Sequence, residues 1–320
     1  MDVRTWSESI VNEVGKVILG KEEVIRRLLV ALLSGGHALL EDVPGVGKTI
    51  LARALSLVLG GEFRRIQCTP DLLPADVLGV SVYNPKSGQF DFKEGPVMTN
   101  ILLVDEVNRA TPRTQSTLLE AMAEGKISVE GKTTPLPQPF FMIATENPVE
   151  FEGTFNLPEA QKDRFFLTLR MGYPPLEAEE EIMLAQRRLS HPVTDLKPAT
   201  GLDTVLSLQR EILDVDVDDE VQEYILTLVE ATRQDSRLNL GASPRASMAL
   251  YKGAQAVAAM NGRSRATIDD VIELAPGVLL KRISVKSEHQ LKGLDEDTVI
   301  EALLDSTPRE PIVALESSDS

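Results

Sequence analysis

A chain of 320 residues exceeds what one small domain usually needs, so two domains are expected. Its 42% hydrophobic content supplies a sizeable core, and with aromatic residues at only 4% that core must be aliphatic. A formal net charge of −16, with no basic run longer than a pair such as Arg64-Arg65, argues against general binding to nucleic acid or to anionic membrane surfaces.

A single cysteine, Cys68, excludes an internal disulfide framework and fits a reducing compartment. No apolar run approaches the ~18 residues of a membrane span. The first residues, MDVRTWSESIVNEV, carry early acids and no apolar h-region, so no signal peptide is expected. These features together predict a cytoplasmic protein without membrane insertion.

In chain order, residues 8–34 predict two helices broken at Leu19-Gly20, and Gly35-Gly36 ends the second. His37–Leu40 predicts a short buried strand. After a glycine-rich turn, Leu51, Leu55, Val58 and Leu59 form one face of a helix that stops at Gly60-Gly61. Further strands are expected at Phe63–Cys68, Ile101–Val104, Phe140–Ala144 and Phe166–Met171, with a helix at Pro112–Glu124. That alternation predicts an α/β fold with a doubly wound, mostly parallel sheet and ligands at the carboxyl ends of its strands.

Two stretches interrupt the alternation. Val80–Val97, with turn residues at Asn84-Pro85 and Ser87-Gly88, predicts one hairpin; Lys126–Pro139, turning at Glu130-Gly131-Lys132, predicts another. Gly172-Tyr173-Pro174-Pro175 then reads as a rigid connector. Beyond it the pattern is helical, at Glu177–Leu189, Leu202–Leu213, Asp219–Arg233, Ser243–Met260 and Thr267–Leu280, with a loop at Ser190–Thr200. The polar segment Ser306–Ser320 has no periodicity and reads as a disordered tail.

The chemistry-bearing residues fall at the expected strand ends. Positions 42–49 read Asp-Val-Pro-Gly-Val-Gly-Lys-Thr, a phosphate-binding loop in which Asp42 replaces the usual first glycine. Gly45 and Gly47 let backbone N–H groups curl toward phosphates, and Lys48 would reach the β- and γ-phosphates. Thr49 would give a hydroxyl to Mg²⁺, and the helix N-terminus adds its positive end. Val43, Pro44, Val46 and Ile50 complete the expected ATP cradle. The strand Ile101–Val104 delivers Asp105 and Glu106, suited to holding Mg²⁺ and to polarising an attacking water. Asn147, after the next strand, would orient that water.

Arg164, in Asp163-Arg164-Phe165, is a candidate arginine finger only if it serves an adjacent subunit. In Gly241-Ala242-Ser243-Pro244-Arg245, Ser243 as N-cap and Pro244 in the first turn place Arg245 at a helix start, where the helix dipole would favour an acid. Arg109 and Arg113 fit either a neighbouring subunit or a solvated helix face. His37, His191 and His289 show no metal-ligand spacing.

The strings LLEDVPGVGKT, LLVDEVNRATPRTQSTLLEAMAEG, ATENPVEFEGTFNLPEAQKDRF and GASPRAS resemble those of AAA+ ATPases and, more narrowly, the MoxR family, over about residues 10–290. The resemblance implies an AAA+ core at 1–172 and a small all-α lid at 173–305, followed by the tail at 306–320. It implies Walker A at Val43–Ile50, Walker B at Asp105-Glu106, sensor 1 at Asn147, an arginine finger at Arg164 and sensor 2 at Arg245. The two hairpins become the helix-2 insert and the pre-sensor-1 hairpin, and Val17–Lys21 resembles the segment lining the adenine pocket. It further implies an oligomeric, chaperone-like Mg²⁺-dependent ATPase, with a hexameric ring expected. Its client would be a protein, in some relatives alongside a von Willebrand factor A-domain protein. The alternatives are a nucleotide-dependent binding switch, a nucleic-acid motor opposed by the −16 charge, or a chelatase-type ATPase subunit.

Overall fold

The computed structural model describes residues 1–41, 43–147, 153–185 and 192–309. Asp42, Pro148, the end of the expected helix at Glu177–Leu189, the start of the loop at Ser190–Thr200 and most of the expected tail lie outside them.

The chain opens with α1 (Val3–Gly15) and α2 (Glu22–Leu33), then β1 (Ala38–Glu41), α3 (Lys48–Leu59), β2 (Phe63–Gln67) and α4 (Pro74–Leu78). A hairpin follows, β3 (Gly79–Asn84) with β4 (Gln89–Glu94), then β5 (Ile101–Asp105), a 3-10 turn at Val107–Arg109 and α5 (Pro112–Glu124). A second hairpin, β6 (Lys126–Val129) with β7 (Lys132–Pro135), precedes β8 (Phe141–Glu146), α6 (Glu159–Lys162) and β9 (Leu167–Leu169). Next come α7 (Leu176–Ala185), α8 (Leu202–Glu211), α9 (Asp219–Gln234) and β10 (Leu238–Leu240). The described elements close with α10 (Pro244–Met260), α11 (Ile268–Leu279), β11 (Ser284–Val285), α12 (Ser287–Gln290) and α13 (Glu296–Ser306).

Five strands among the described residues form one sheet in the order β2-β5-β8-β1-β9, and every adjacent pair is parallel. Ile101–Val104, Ala38–Leu40 and Phe141–Ala144 are buried throughout. Continuous apolar runs, rather than alternating ones, are what a strand covered on both faces requires. Burial of each Leu, Ile, Val, Met or Phe side chain in these runs contributes roughly 1.5–3 kcal/mol. Gly36 lets the chain enter β1 beside the strand at the other end of the pair, because a Cβ there would lie 2.4 Å from Phe166 Cβ.

Contacts divide the described chain into a unit ending at Glu211 and a unit beginning at Ile212. The expected boundary between core and lid is 172/173; by contacts alone α7 and α8 group with the first unit. Two tertiary bonds join this stretch to it: Gln209 Nε2 donates to Leu32 O at 2.7 Å, and Ala199 N donates to Val58 O at 2.9 Å. Neither is visible in local periodicity. The expected connector is anchored as well, since Lys21 Nζ donates to Tyr173 O at 2.8 Å and to Met171 O.

The second unit is helical, with α9, α10, α11 and α13 sharing one aliphatic core. The β10–β11 ribbon, antiparallel and only a few residues long, and α13 were not foreseen. Both follow the last strongly periodic segment or interrupt it briefly, where pattern carries little weight. At the amino terminus α1 starts at Val3, earlier than expected, because Asp2 caps it by accepting from Thr5 N at 2.8 Å.

His37 ends up fully inside the first unit. Its Nδ1 accepts from Met142 N at 3.1 Å, so Nε2 carries the hydrogen and donates to Met122 O at 3.1 Å. Burial lowers its pKa from 6.5 to about 4. Between those values the unfolded chain binds a proton that the folded chain refuses, so stability falls as pH drops through that window and is unaffected above it. The expected loss is roughly 3 kcal/mol. Urea denaturation from pH 7 to pH 4 should show it in the wild type and a flatter profile in His37→Gln; parallel profiles would contradict the assignment.

Candidate functional site

The strand order puts the carboxyl ends of β1, β5 and β8 side by side, and the loop after β1 crosses that rim. Gly45 and Gly47 there have φ of 88° and 97°, values open to glycine and strained for other residues. Among the described residues, nothing beyond the chain neighbours lies within 4 Å of where a Cβ would sit on either glycine, so the loop is a cradle with open space in it. α3 begins at Lys48 with Gly47 as its N-cap, which directs the helix's unpaired N–H groups at the same space.

This cradle opens into a cleft of about 360 Å³ lined by Pro44, Gly45, Gly47, Lys48, Thr49, Ile50, Asp105, Glu106 and Asn147, together with Arg65 and Gln67. Of the residues expected to bind nucleotide, metal or water, the structure thus gathers these nine from three separate stretches of sequence. The remaining loop positions, Val43 and Val46, belong to the same turn.

Asp105 and Glu106 are held by a hydroxyl that the sequence reading passed over. Thr145, fully buried on β8, donates from Oγ1 to Asp105 Oδ1 at 2.7 Å and accepts from Glu106 N at 2.8 Å. Glu106 sits at φ 56°, ψ 53°, a left-handed conformation that costs a non-glycine residue on the order of 1 kcal/mol or more. The Thr145 bond to its N–H offsets part of that cost and fixes where the carboxylate leaves the backbone.

Two side chains of β2 also reach the pair. Arg65 and Gln67 are two apart on one strand and so share a face, and Gln67 stands directly across from Asp105. Arg65 Nη2 donates to Asp105 Oδ2 at 2.6 Å and to Gln67 Oε1. Gln67 Nε2 donates in turn to Glu106 Oε2 at 2.9 Å, which also accepts from Arg109 Nη1 at 3.2 Å. Arg109 therefore faces the acid pair of its own chain. The only available signal in sequence was the polar alternation Arg65-x-Gln67 within an expected strand.

Cys68 follows these residues and is buried. Burial, reinforced by the charges of Asp105 and Glu106, pushes its thiol up to about 12, so it stays protonated and unreactive.

Arg164 lies away from this cleft. It is exposed, donates from Nη1 to Leu119 O at 3.2 Å, and lines a second cleft of about 480 Å³ with Glu120, Lys126 and Gln161. Arg245 belongs to the second unit, on the first turn of α10, where Ser243 Oγ accepts from its N–H at 3.1 Å as the capping pattern predicts.

The donor set fits a nucleotide triphosphate with Mg²⁺. Among the described residues no cluster of three or more acidic, histidine or cysteine ligands could form a closed cage. Mg²⁺ is characteristically held by one or two protein oxygens, with phosphate and water supplying the rest, and Thr49 with Asp105 meets that description.

Comparison with known proteins agrees with the geometry. Residues 37–167 match the ATPase family associated with various cellular activities (AAA), and residues 230–303 match the AAA lid domain. The protein YeaC of Bacillus subtilis is 47% identical over 92% of both chains. The chaperone MoxR1 of Mycobacterium tuberculosis is 39% identical over 93% of this chain and 80% of its own. A candidate ATPase of Cytophaga hutchinsonii, solved by crystallography, superposes with a TM-score of 0.89 at 37% identity, covering 96% of this chain and 95% of the other. With the parallel sheet, the cradle and the helical second unit already in place, these likenesses identify the chain as a member of the MoxR family of AAA+ ATPases.

Proposed function

We propose that the protein is a Mg²⁺-dependent ATPase that hydrolyses ATP to ADP and phosphate and uses the cycle to remodel or mature a protein partner. The observation that carries this reading is the convergence of Lys48, Thr49, Asp105, Glu106 and Asn147 on one cleft. In it, the N–H groups from Gly45 to Thr49 and the Lys48 ammonium would bind the phosphates. Thr49 and Asp105 would hold Mg²⁺, which would neutralise phosphate charge.

Glu106 would accept a proton from, or polarise, the attacking water, and Asn147 would orient it with its amide. To act through Oε2, the carboxylate would exchange the bonds from Gln67 and Arg109 for one to water. The left-handed backbone and the Thr145 bond keep the main chain fixed while the side chain turns.

Arg164 would complete the site from a neighbouring subunit, stabilising charge on the γ-phosphate there. Its exposure and its distance from its own chain's cleft support that role, and the reading implies an oligomer, a hexameric ring by family precedent. A chaperone-like role rests on the name of the M. tuberculosis relative. A protein client, in the company of a von Willebrand factor A-domain protein, belongs to the same line of reasoning. The role of Arg245 as a second sensor rests on its motif. Among the described residues no helix is long and apolar enough to cross a membrane; a cytoplasmic location remains part of the proposal.

Lys48→Ala should weaken ATP binding by about 30-fold or more, the effect of losing a charged hydrogen bond of about 2 kcal/mol. Fluorescence titration with a labelled nucleotide measures it, and unchanged affinity refutes the phosphate cradle. Glu106→Gln should keep nucleotide binding while slowing hydrolysis by about 10²–10⁴-fold; equal, near-zero rates in wild type and variant would leave only a binding switch, and equal substantial rates would refute the role given to Glu106.

Arg164→Ala should retain binding and lose turnover by on the order of 10³-fold. Mixed with Glu106→Gln subunits, it should regain part of the activity, because some interfaces then pair an intact finger with an intact acid. Mixtures as inactive as their components would count against a finger supplied in trans.

A further inference from the structure

Arg65 lies outside the four motif strings quoted above, yet it lines the nucleotide cleft and touches the residue assigned to the metal. Both oxygens of Asp105 have donors: Oδ1 from the Thr145 hydroxyl, Oδ2 from the Arg65 guanidinium at 2.6 Å. The two partners differ in kind. Thr145 is neutral, fully buried on a central strand, and also tied to Glu106 N. Arg65 is a permanent cation on a long flexible stem, 44% exposed, and rises from β2 at the edge of the sheet. Asp105 itself is only 13% exposed, so its charge is poorly hydrated and gains from a close counter-ion.

A guanidinium at Oδ2 and a divalent cation served by the same carboxylate repel each other and compete for one acceptor. We infer that Arg65 is a resident counter-ion of Asp105 that a divalent cation must displace, and that it thereby sets the cation concentration at which the cleft accepts nucleotide. This rests on the proposed Mg²⁺–ATP reading of the site. Arg65 is a positioning residue in this scheme. While paired it holds Gln67 through Oε1, and Gln67 holds Glu106. Release of Arg65 from Asp105 therefore also loosens one of the two contacts on Glu106 Oε2, that from Gln67, while the Arg109 contact stays.

The test uses the full chain, Mg²⁺ and a fluorescent non-hydrolysable ATP analogue, with no activity measurement. Arg65→Met and Arg65→Gln remove the charge; Arg64→Met is the control. Arg64 precedes it but donates to Glu62 and to Gly95 O on the other face of the strand. The Mg²⁺ concentration giving half-maximal analogue binding should fall by about threefold in both Arg65 variants, the effect of removing an ion pair of this exposure. It should not move in Arg64→Met, and in an Asp105→Asn background the Arg65 substitutions should have no further effect.

Equal or higher midpoints in the Arg65 variants overturn the inference, as does the same fall in Arg64→Met, which would reveal a general charge effect. A parallel titration follows thermal unfolding with Mg²⁺ alone. There the Arg65 variants should be stabilised at lower Mg²⁺ than the wild type, and coincident curves again overturn the inference. If the analogue fails to bind wild type at any Mg²⁺ concentration, the nucleotide reading falls, and the Mg²⁺-only titration still decides the competition at Asp105.

Discussion

The acid pair at the site depends on the registration of three parallel strands, β2, β5 and β8. Parallel strands paired in fixed register end along one rim, where the polar residues that follow the buried central strands come together. β5 stands between the other two, so its terminal Asp105 and the following Glu106 receive Arg65 and Gln67 from one side and Thr145 from the other. A slip of one residue in either pairing would turn those side chains to the opposite face and dismantle the cluster. The aliphatic runs inside the sheet therefore serve the chemistry, since their packing sets the register.

The cluster concentrates charge in a small space, and its members hold each other in order. Two adjacent acids at one strand end would repel unless each had a donor. Thr145 provides a fixed, neutral donor to Asp105 and accepts from the Glu106 N–H; Arg65, Gln67 and Arg109 provide more mobile donors to the two carboxylates. The fixed contact sets the backbone of Glu106 in a conformation few residues adopt. The mobile contacts leave the carboxylates able to change partners. Rigid backbone with exchangeable side-chain bonds is what a hydrolytic site needs if its acids must serve cation, water and nucleotide in turn.

The buried histidine illustrates a different use of polarity. His37 links the start of β1 to α5 and β8 through both ring nitrogens, and its fully buried environment holds it neutral. As a lone His in an apolar strand it gave no hint of ligand chemistry, and its partners, Met122 O and Met142 N, are backbone groups that no side-chain pattern reveals. Its contribution is to the packing that positions the rim.

The sequence by itself determined the strand–glycine turn–helix at Val43–Ile50, the acid pair after an apolar strand, both hairpins and most of the helices. Each is a local signal: a required positive φ, a buried run, a turn dipeptide, a cap. It also determined the family, since the four motif strings lie within a few residues of these features. Only the tertiary structure grouped α8 with the elements before it, through Gln209 and Leu32, which are far apart in the chain. Only it revealed Thr145, Arg65, Gln67 and Arg109 as partners of the acid pair, and separated Arg164 from the cleft of its own chain. Those facts depend on which strand lies beside which, and strand order is set by packing of the whole sheet rather than by any stretch of residues read alone.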